Sequence, residues 1–363
     1  MHTRPATVLT RALLFACWLL CPAAAFSQDE APRNARPTVT NAGPLIPFLE
    51  GTDVFFSLRQ DTVFEADILP HLVAYQTFSD VVDLSEQSRR AGGRGVKRFA
   101  LSVSGTPAVR LRMFESVSSP VRTPSYMPRG NVQLIWARNV DAVTQRFAAG
   151  GAVPGAGSGA NEVSLWETHA IVGHHSNGQD GCFFSDQQRI DEECVSVLPI
   201  AGEREVNKRD GSFSTNYVRV GLNYRRNLLD DELYAKREWG FRGDIEYHPR
   251  SWMDDQMVDL YGRTRLEGGA TIASRELAWC PKRAEATGSV KGIVGHPDSV
   301  WPVVVTAQFS CFPAPMGGWG IFVRYYGGQD YYNLGLLDNI QRVHVGATFN
   351  QSGFFRFRRG DER

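Results

Sequence analysis

Apolar and polar residues alternate with a period of two through most of this chain. Val343, Val345, Ala347 and Phe349 fall on one side of their segment, and Arg342, His344, Gly346 and Thr348 fall on the other. Val303, Val305, Ala307 and Phe309 alternate in the same way with Val304, Thr306, Gln308 and Ser310. Such a period belongs to β-strands whose two faces meet different surroundings. The same pattern predicts strands over 96–104, 108–115, 131–138, 162–175, 217–225, 241–248, 266–277, 289–294 and 319–326, and a weaker one at 72–77. The count is about twelve.

Strands of this kind build either a soluble sandwich, with the apolar faces meeting in a core, or an outer-membrane barrel, with those faces in lipid and the polar ones in the lumen. The polar faces here carry Gly, Thr, Gln, Arg and His more than the Lys and Glu of a soluble surface. Aromatic pairs at strand ends, Tyr325-Tyr326, Tyr331-Tyr332 and Phe354-Phe355, are expected to form an interfacial girdle. Beyond the first residues no uninterrupted apolar run is long enough to span a bilayer as a helix. The expected fold is all-β, an antiparallel transmembrane β-barrel of about twelve strands.

Composition adds to this picture in three places. The chain has 363 residues with 39 Lys+Arg against 39 Asp+Glu, so it lacks the basic excess of a nucleic-acid binder. Arg4 and Arg11, the apolar stretch 12–20 and the small residues 22–25 read as a cleaved secretory signal at 1–25; Leu14-Phe15-Ala16-Cys17 is a poor lipoprotein box. A periplasmic segment is expected at 26–65, the barrel at 66–355 with an extracellular insertion at about 179–213, and a tail at 356–363. Cys182, Cys194, Cys280 and Cys311 are an even number in an exported chain. Pairing Cys182 with Cys194 and Cys280 with Cys311 is favoured, because each bridge then staples one loop or hairpin.

Along 166–178 the alternation puts Trp166, Thr168, Ala170 and Val172 on the apolar face, and His174 and Ser176 continue it. Two residues along a strand lie about 6.6 Å apart on one side, within reach for an imidazole to act as base on a hydroxyl. His175 faces the other way, into lumen or loop. Isolated His-x-Ser triplets are common strand ends, so the spacing alone does not define chemistry.

The residues His174-His175-Ser176-Asn177-Gly178 have the form His-x-Ser-Asn-Gly, and the chain here resembles the outer membrane phospholipase A family. Ser118-Ser119-Pro120 with Arg122, Tyr126 and Pro128 is similar to that family's Ser-Ser-Pro loop, and Tyr326-Gly327-Gly328-Gln329-Asp330-Tyr331-Tyr332 is similar to the approach to its last strand. The resemblance implies a twelve-stranded outer-membrane barrel that hydrolyses phospholipid and lysophospholipid esters with a Ser-His-Asn triad. It implies Ser176 as nucleophile, His174 as base and Asn216 as the residue orienting the ring, with Asn207 as the alternative to Asn216. Parity places Asn216 on the apolar side with Val218, Val220 and Leu222.

The resemblance also implies Ca2+ as cofactor and a calcium-promoted homodimer. The oxyanion donor would be the Gly178 amide, and the metal ligands the Gln179 carbonyl, the Ser212 side chain and the carbonyl of the partner subunit's Ser118. The stretch between Ser176 and Asn216 is longer than the family's loop, and Asp180, Asp186 or Asp210 either supplement or replace Ser212 or are solvated loop charges. The alternatives are a lipid A deacylase barrel and a non-catalytic porin-like barrel.

Overall fold

The computed structural model describes residues 50–58, 62–76, 98–114, 123–138, 162–197, 204–229, 235–258, 260–280, 282–313 and 318–350. Fifteen strands follow one another: β1 (Thr52–Ser57), β2 (Thr62–Ile68), β3 (Leu72–Gln76), β4 (Arg98–Phe114), β5 (Ser125–Arg138), β6 (Glu162–Ser176), β7 (Gln187–Ile190), β8 (Glu193–Ser196), β9 (Ser214–Leu229), β10 (Ala235–Tyr247), β11 (Thr264–Ser274), β12 (Arg283–Val294), β13 (Val303–Phe312), β14 (Trp319–Gln329) and β15 (Asn339–Phe349). All pairings in the main sheet are antiparallel. Neighbours in sequence are neighbours in space, except that β6 meets β9 and the hairpin β7–β8 stands apart. β1 pairs with β15, and β2 pairs with both β1 and β4, which closes the sheet. β3 pairs with the other half of β4, so β2 and β3 act as one interrupted stave. The result is a closed barrel of twelve staves.

Twelve is the expected number, reached differently. The segments 96–104 and 108–115 are a single strand, β4, that carries Pro107 opposite Pro128 of β5. The stave missing from the expected set is β1, which lies with most of β2 inside the expected periplasmic segment 26–65 yet belongs to the barrel wall. Cys182–Cys194 and Cys280–Cys311 are the disulfides, as expected. The signal, the tail at 356–363 and Phe354-Phe355 lie outside the described residues.

The polarity of this barrel is inverted relative to a soluble protein. Val172, Phe241, Ile272 and Ile321 are each more than half exposed on the outside. Glu65, Glu167 and Arg112 are buried on the inside. Burying a charge is tolerable only when it is paired, and the lumen meets that requirement. Glu65 accepts from Arg342 Nη1 at 2.6 Å and from the Tyr331 hydroxyl at 2.8 Å. Arg112 donates to both oxygens of Asp330 at 2.8 and 3.0 Å. Arg283 reaches Glu238 at 3.2 Å, and His169 lies between Glu167 at 3.1 Å and Asp244 at 2.8 Å. These and neighbouring polar side chains line a cavity of about 490 Å³ inside the barrel.

One expectation about the aromatics needs correction. Tyr325 is on the outer face, but Tyr326 and Tyr332 are buried, and the Tyr331 hydroxyl serves Glu65. The guanidinium of Arg112 lies 4.5 Å from the Tyr332 ring centroid. These tyrosines furnish the lumen, where the hydroxyl of Tyr331 finds Glu65 and those of Tyr326 and Tyr332 find the Gln329 and Thr123 carbonyls.

Candidate active site

β6 ends and β9 begins at the barrel mouth opposite the end where Thr52 meets Phe349. Their register sets His174 opposite Asn216, His175 opposite Thr215 and Ser176 opposite Ser214. Residues facing each other across an antiparallel pair have Cβ atoms about 4.5–5.5 Å apart, so two polar side chains on one face meet. His174 Nδ1 and Asn216 Oδ1 are 2.9 Å apart. Asn216 Nδ2 donates to the Trp252 carbonyl at 3.4 Å. A carbonyl only accepts, so this bond turns Oδ1 toward the ring; Nδ1 then carries the proton and Nε2 presents a lone pair. Ser176 lies two positions further along the same outer face, half-buried like His174. No hydrogen bond joins the two among the described residues, and a base commonly tightens onto its nucleophile only with substrate bound.

The wall beside His174 is thinned on the other side. The β5–β6 ladder pairs Tyr126 with Ser176 and Arg129 with Gly173 but lapses at Met127 and Pro128. Pro128 has no N–H to give to the strand opposite it.

After Ser176 the chain turns sharply. Gly178 has φ +65°, and a Cβ there would sit 3.1 Å from Tyr126 Cε2. Its N–H has no acceptor among the described residues. Asn177, fully buried, fixes this turn: its Nδ2 donates to Gly211 O at 2.7 Å and Asn333 Oδ1 at 2.8 Å, and its Oδ1 accepts from Phe213 N at 3.2 Å. The insertion after it is pinned by Cys182–Cys194 and by an apolar cluster that joins Phe183, Phe184 and Phe213 to Met253, Met257 and Leu334. Three loops therefore support the mouth next to Ser176.

Asn207 is remote from His174 in its bonding. Its side chain donates to Cys182 O at 3.2 Å and to Asp210, and accepts from the amides of Arg209 and Asp210, a local turn within the insertion. Asp254, on the loop between β10 and β11, accepts from Ser214 N at 2.9 Å. Burial raises its pKa above the ordinary carboxylate value, while the His174 ring acts in the opposite sense.

Of the residues expected to hold calcium, Gln179 and Ser212 lie on adjacent ribbons: Gly181 N donates to Asp210 O at 3.1 Å and Ser212 N to Gly181 O at 2.9 Å. Both offer hard oxygens of the type calcium takes. Asp186 is engaged by Arg204 at 3.0 Å and by Ser196, and Asp210 by Asn207. The Asp180 carboxylate is exposed, 3.6 Å from Arg189. No group of three His, Cys, Asp or Glu side chains suited to a metal occurs among the described residues. Ser118 lies outside them.

Sequence reasoning missed Trp252 and gave Asn177 no role. Trp252 contributes a backbone carbonyl from a 3-10 turn, for which a sequence has no marker. Asn177 was visible as the fourth letter of the motif, but its partners come from loops 34 to 156 residues away.

No protein-family model matches this chain, and no curated protein matches it in sequence. Among solved structures it is similar to the Salmonella typhi outer membrane phospholipase dimer with bound calcium, at TM-score 0.43 and 13% identity, over 87% of this chain and 95% of that one. It is similar to Escherichia coli outer membrane phospholipase A at TM-score 0.41 and 14% identity, over 84% and 97%. Pseudomonas putida OprB follows at TM-score 0.27 and 7% identity, over 82% and 92%. At such scores these likenesses carry no weight for function, which is argued below from this chain's own residues.

Proposed function

We propose that this chain is an outer-membrane esterase that hydrolyses acyl esters of phospholipid and lysophospholipid at the lipid-facing mouth of its barrel. The observation that carries the reading is the 2.9 Å bond from His174 Nδ1 to Asn216 Oδ1, on the outer face and two residues from Ser176. In this scheme His174 Nε2 takes the Ser176 proton as the oxygen attacks the ester carbonyl, and returns it to the leaving alcohol; water, deprotonated in turn by His174, then cleaves the acyl-serine ester, releasing fatty acid and restoring the Ser176 hydroxyl. Asn216 holds the tautomer. The Gly178 N–H, without an acceptor among the described residues, is the donor assigned to the developing oxyanion. A site on the outer face receives acyl chains from the bilayer without desolvating them, which favours a lipid over a soluble ester.

Calcium belongs to this proposal as a bound oxyanion stabiliser, held by the Gln179 carbonyl, the Ser212 hydroxyl and the carbonyl of the partner subunit's Ser118. When bound it supplies positive charge beside the developing oxyanion. Of the six to eight oxygens calcium takes, two would come from one chain and one from its partner with water completing the set, so calcium would bind the homodimer more tightly than the monomer and favour it by linkage. Twelve staves enclose a narrower lumen than the roughly 16–18 strands of a porin, which weighs against an open diffusion channel.

The test is fatty-acid release from phospholipid and from lipid A in mixed micelles, each with calcium and with chelator. Release from phospholipid that stops in Ser176→Ala supports the reading. Release from lipid A alone would make the chain a deacylase, and no release from either would leave a barrel without this chemistry.

A further inference from the structure

Behind the proposed site, the inner faces of β6 and β9 carry a second set of polar residues. Alternation places His175 between His174 and Ser176 but pointing inward, with Thr215 opposite it. Both are buried. The Tyr261 hydroxyl lies 2.7 Å from His175 Nδ1, and Thr215 Oγ1 lies 2.9 Å from His248 Nδ1. His248 Nε2 is 3.0 Å from Glu246 Oε1, and Arg219 Nε holds the other oxygen of Glu246 at 3.0 Å. The rings of Tyr261 and His248 meet edge to face with centroids 4.8 Å apart. β6, β9, the end of β10 and the loop that follows it are thereby tied into one circuit.

The bonds through His248 have a single sense. Glu246 accepts, so His248 carries a proton on Nε2; burial, aided by Arg265 and Arg219 and opposed by Glu246, holds the imidazole below its ordinary pKa and leaves Nδ1 to accept from Thr215. Burial raises the Tyr261 phenol above its ordinary value, so it stays protonated, and its hydroxyl pairs with His175 Nδ1 at 2.7 Å in either tautomer of that ring. His175 Nε2 has no partner among the described residues, but turning Thr215 or His248 to another rotamer would strand a further buried polar atom, at a cost of about 1–3 kcal/mol.

We propose that Tyr261 and His248 are positioning residues that act through His175 and Thr215 to fix how β6 and β9 lie against each other, and with it the His174–Asn216 bond and the station of Ser176. The inference rests on the triad reading above. Its physical ground is that the outer face looks into lipid, which offers no hydrogen-bond partners, and that the β5–β6 ladder lapses at Pro128. The inner face is where alignment can be enforced, and a displacement of about 1 Å at a reacting group can cost about a hundredfold in rate.

The experiment uses the full-length folded protein and three variants: Thr215→Val, which keeps shape and loses the hydroxyl, Thr215→Ser, which keeps the hydroxyl, and Tyr261→Phe. Folding is verified by heat-modifiable gel mobility, and positioning is read as the rate at which a small sulfonyl fluoride modifies Ser176, alongside kcat and KM on phospholipid. The expected result is about tenfold or slower modification in Thr215→Val and Tyr261→Phe, a matching fall in kcat with KM within about twofold, and rescue by Thr215→Ser. Wild-type rates in folded Thr215→Val and Tyr261→Phe barrels overturn the proposal; should Thr215→Val fail to fold, Tyr261→Phe decides. Absence of Ser176-dependent modification in the wild type overturns the triad reading and this proposal together, an outcome distinct from the first because there the wild type still reacts.

Discussion

Replacing Asn216 by Ala removes the acceptor 2.9 Å from His174 Nδ1 and the donor that ties the same side chain to the Trp252 carbonyl. The nucleophile, the base and the Gly178 amide remain, so activity falls without vanishing. The imidazole becomes positively charged as it takes the Ser176 proton, and a hydrogen bond to a charged group is worth about 1.5–3 kcal/mol. With each 1.36 kcal/mol a factor of ten, the expected loss in kcat is about tenfold to a hundred and fifty-fold. The measurement is initial fatty-acid release from phospholipid micelles at saturating substrate, on samples matched for folded barrel by heat-modifiable mobility. Asn207→Ala is the control, since its side chain serves only the insertion, and it should stay within about twofold. Undiminished kcat in Asn216→Ala, or a larger loss in Asn207→Ala, would refute the argument from register.

Three further outcomes follow from the geometry. Gly178→Ala forces an L side chain into φ +65° and against the Tyr126 ring, so kcat should drop by about tenfold with the barrel still folded, from a conformational cost of about 1–2 kcal/mol; unchanged kcat would mean that this amide is not the oxyanion donor. Replacing Cys182 and Cys194 together by Ser removes a link worth about 2–4 kcal/mol, and limited proteolysis should then cut the 187–196 hairpin faster while barrel mobility on gels stays the same; an unchanged cutting rate would assign the anchoring to the Phe183–Phe184 cluster alone. His248 resists protonation when folded and takes a proton near 6.5 when unfolded, so its contribution to stability is whole above that pH and is lost as the pH falls below it. The unfolding temperature of the wild type should therefore fall further between pH 7.5 and 5 than that of His248→Gln, and equal falls would contradict this.

Much of the barrel was legible because lipid and lumen impose opposite polarity on alternate residues, as in 166–176 and 343–349. β1 escaped because Phe55 and Phe56 stand side by side, one packed inside against His344 at 4.6 Å and the other on the outer face. An inward phenylalanine next to an outward one erases the period of two. β4 was divided in the sequence reading because Gly105, Thr106 and Pro107 look like a turn, whereas register with β5 carries the strand through them. The inward tyrosines at 331 and 332 were misjudged because their partners, Glu65 and Arg112, lie more than 200 residues away, and Tyr326 turns inward to the Gln329 carbonyl. For the site, parity and the motif bring His174, Ser176 and Asn216 onto one face. Parity also turns His175 inward, but nothing in the sequence ties it to Tyr261, or Thr215 to His248. Those pairs exist only because loop and strand ends converge at the mouth.

The central claim is that Ser176 is a nucleophile activated from the outer face of the barrel. Its most direct measurement is intact-mass and peptide mass spectrometry of the folded protein after reaction with a serine-directed sulfonyl fluoride. The account predicts one adduct per chain, on the peptide containing Ser176, that disappears in His174→Ala and is strongly slowed in Asn216→Ala. A folded wild-type barrel that remains unmodified, or is modified elsewhere and equally so in Ser176→Ala, would contradict it.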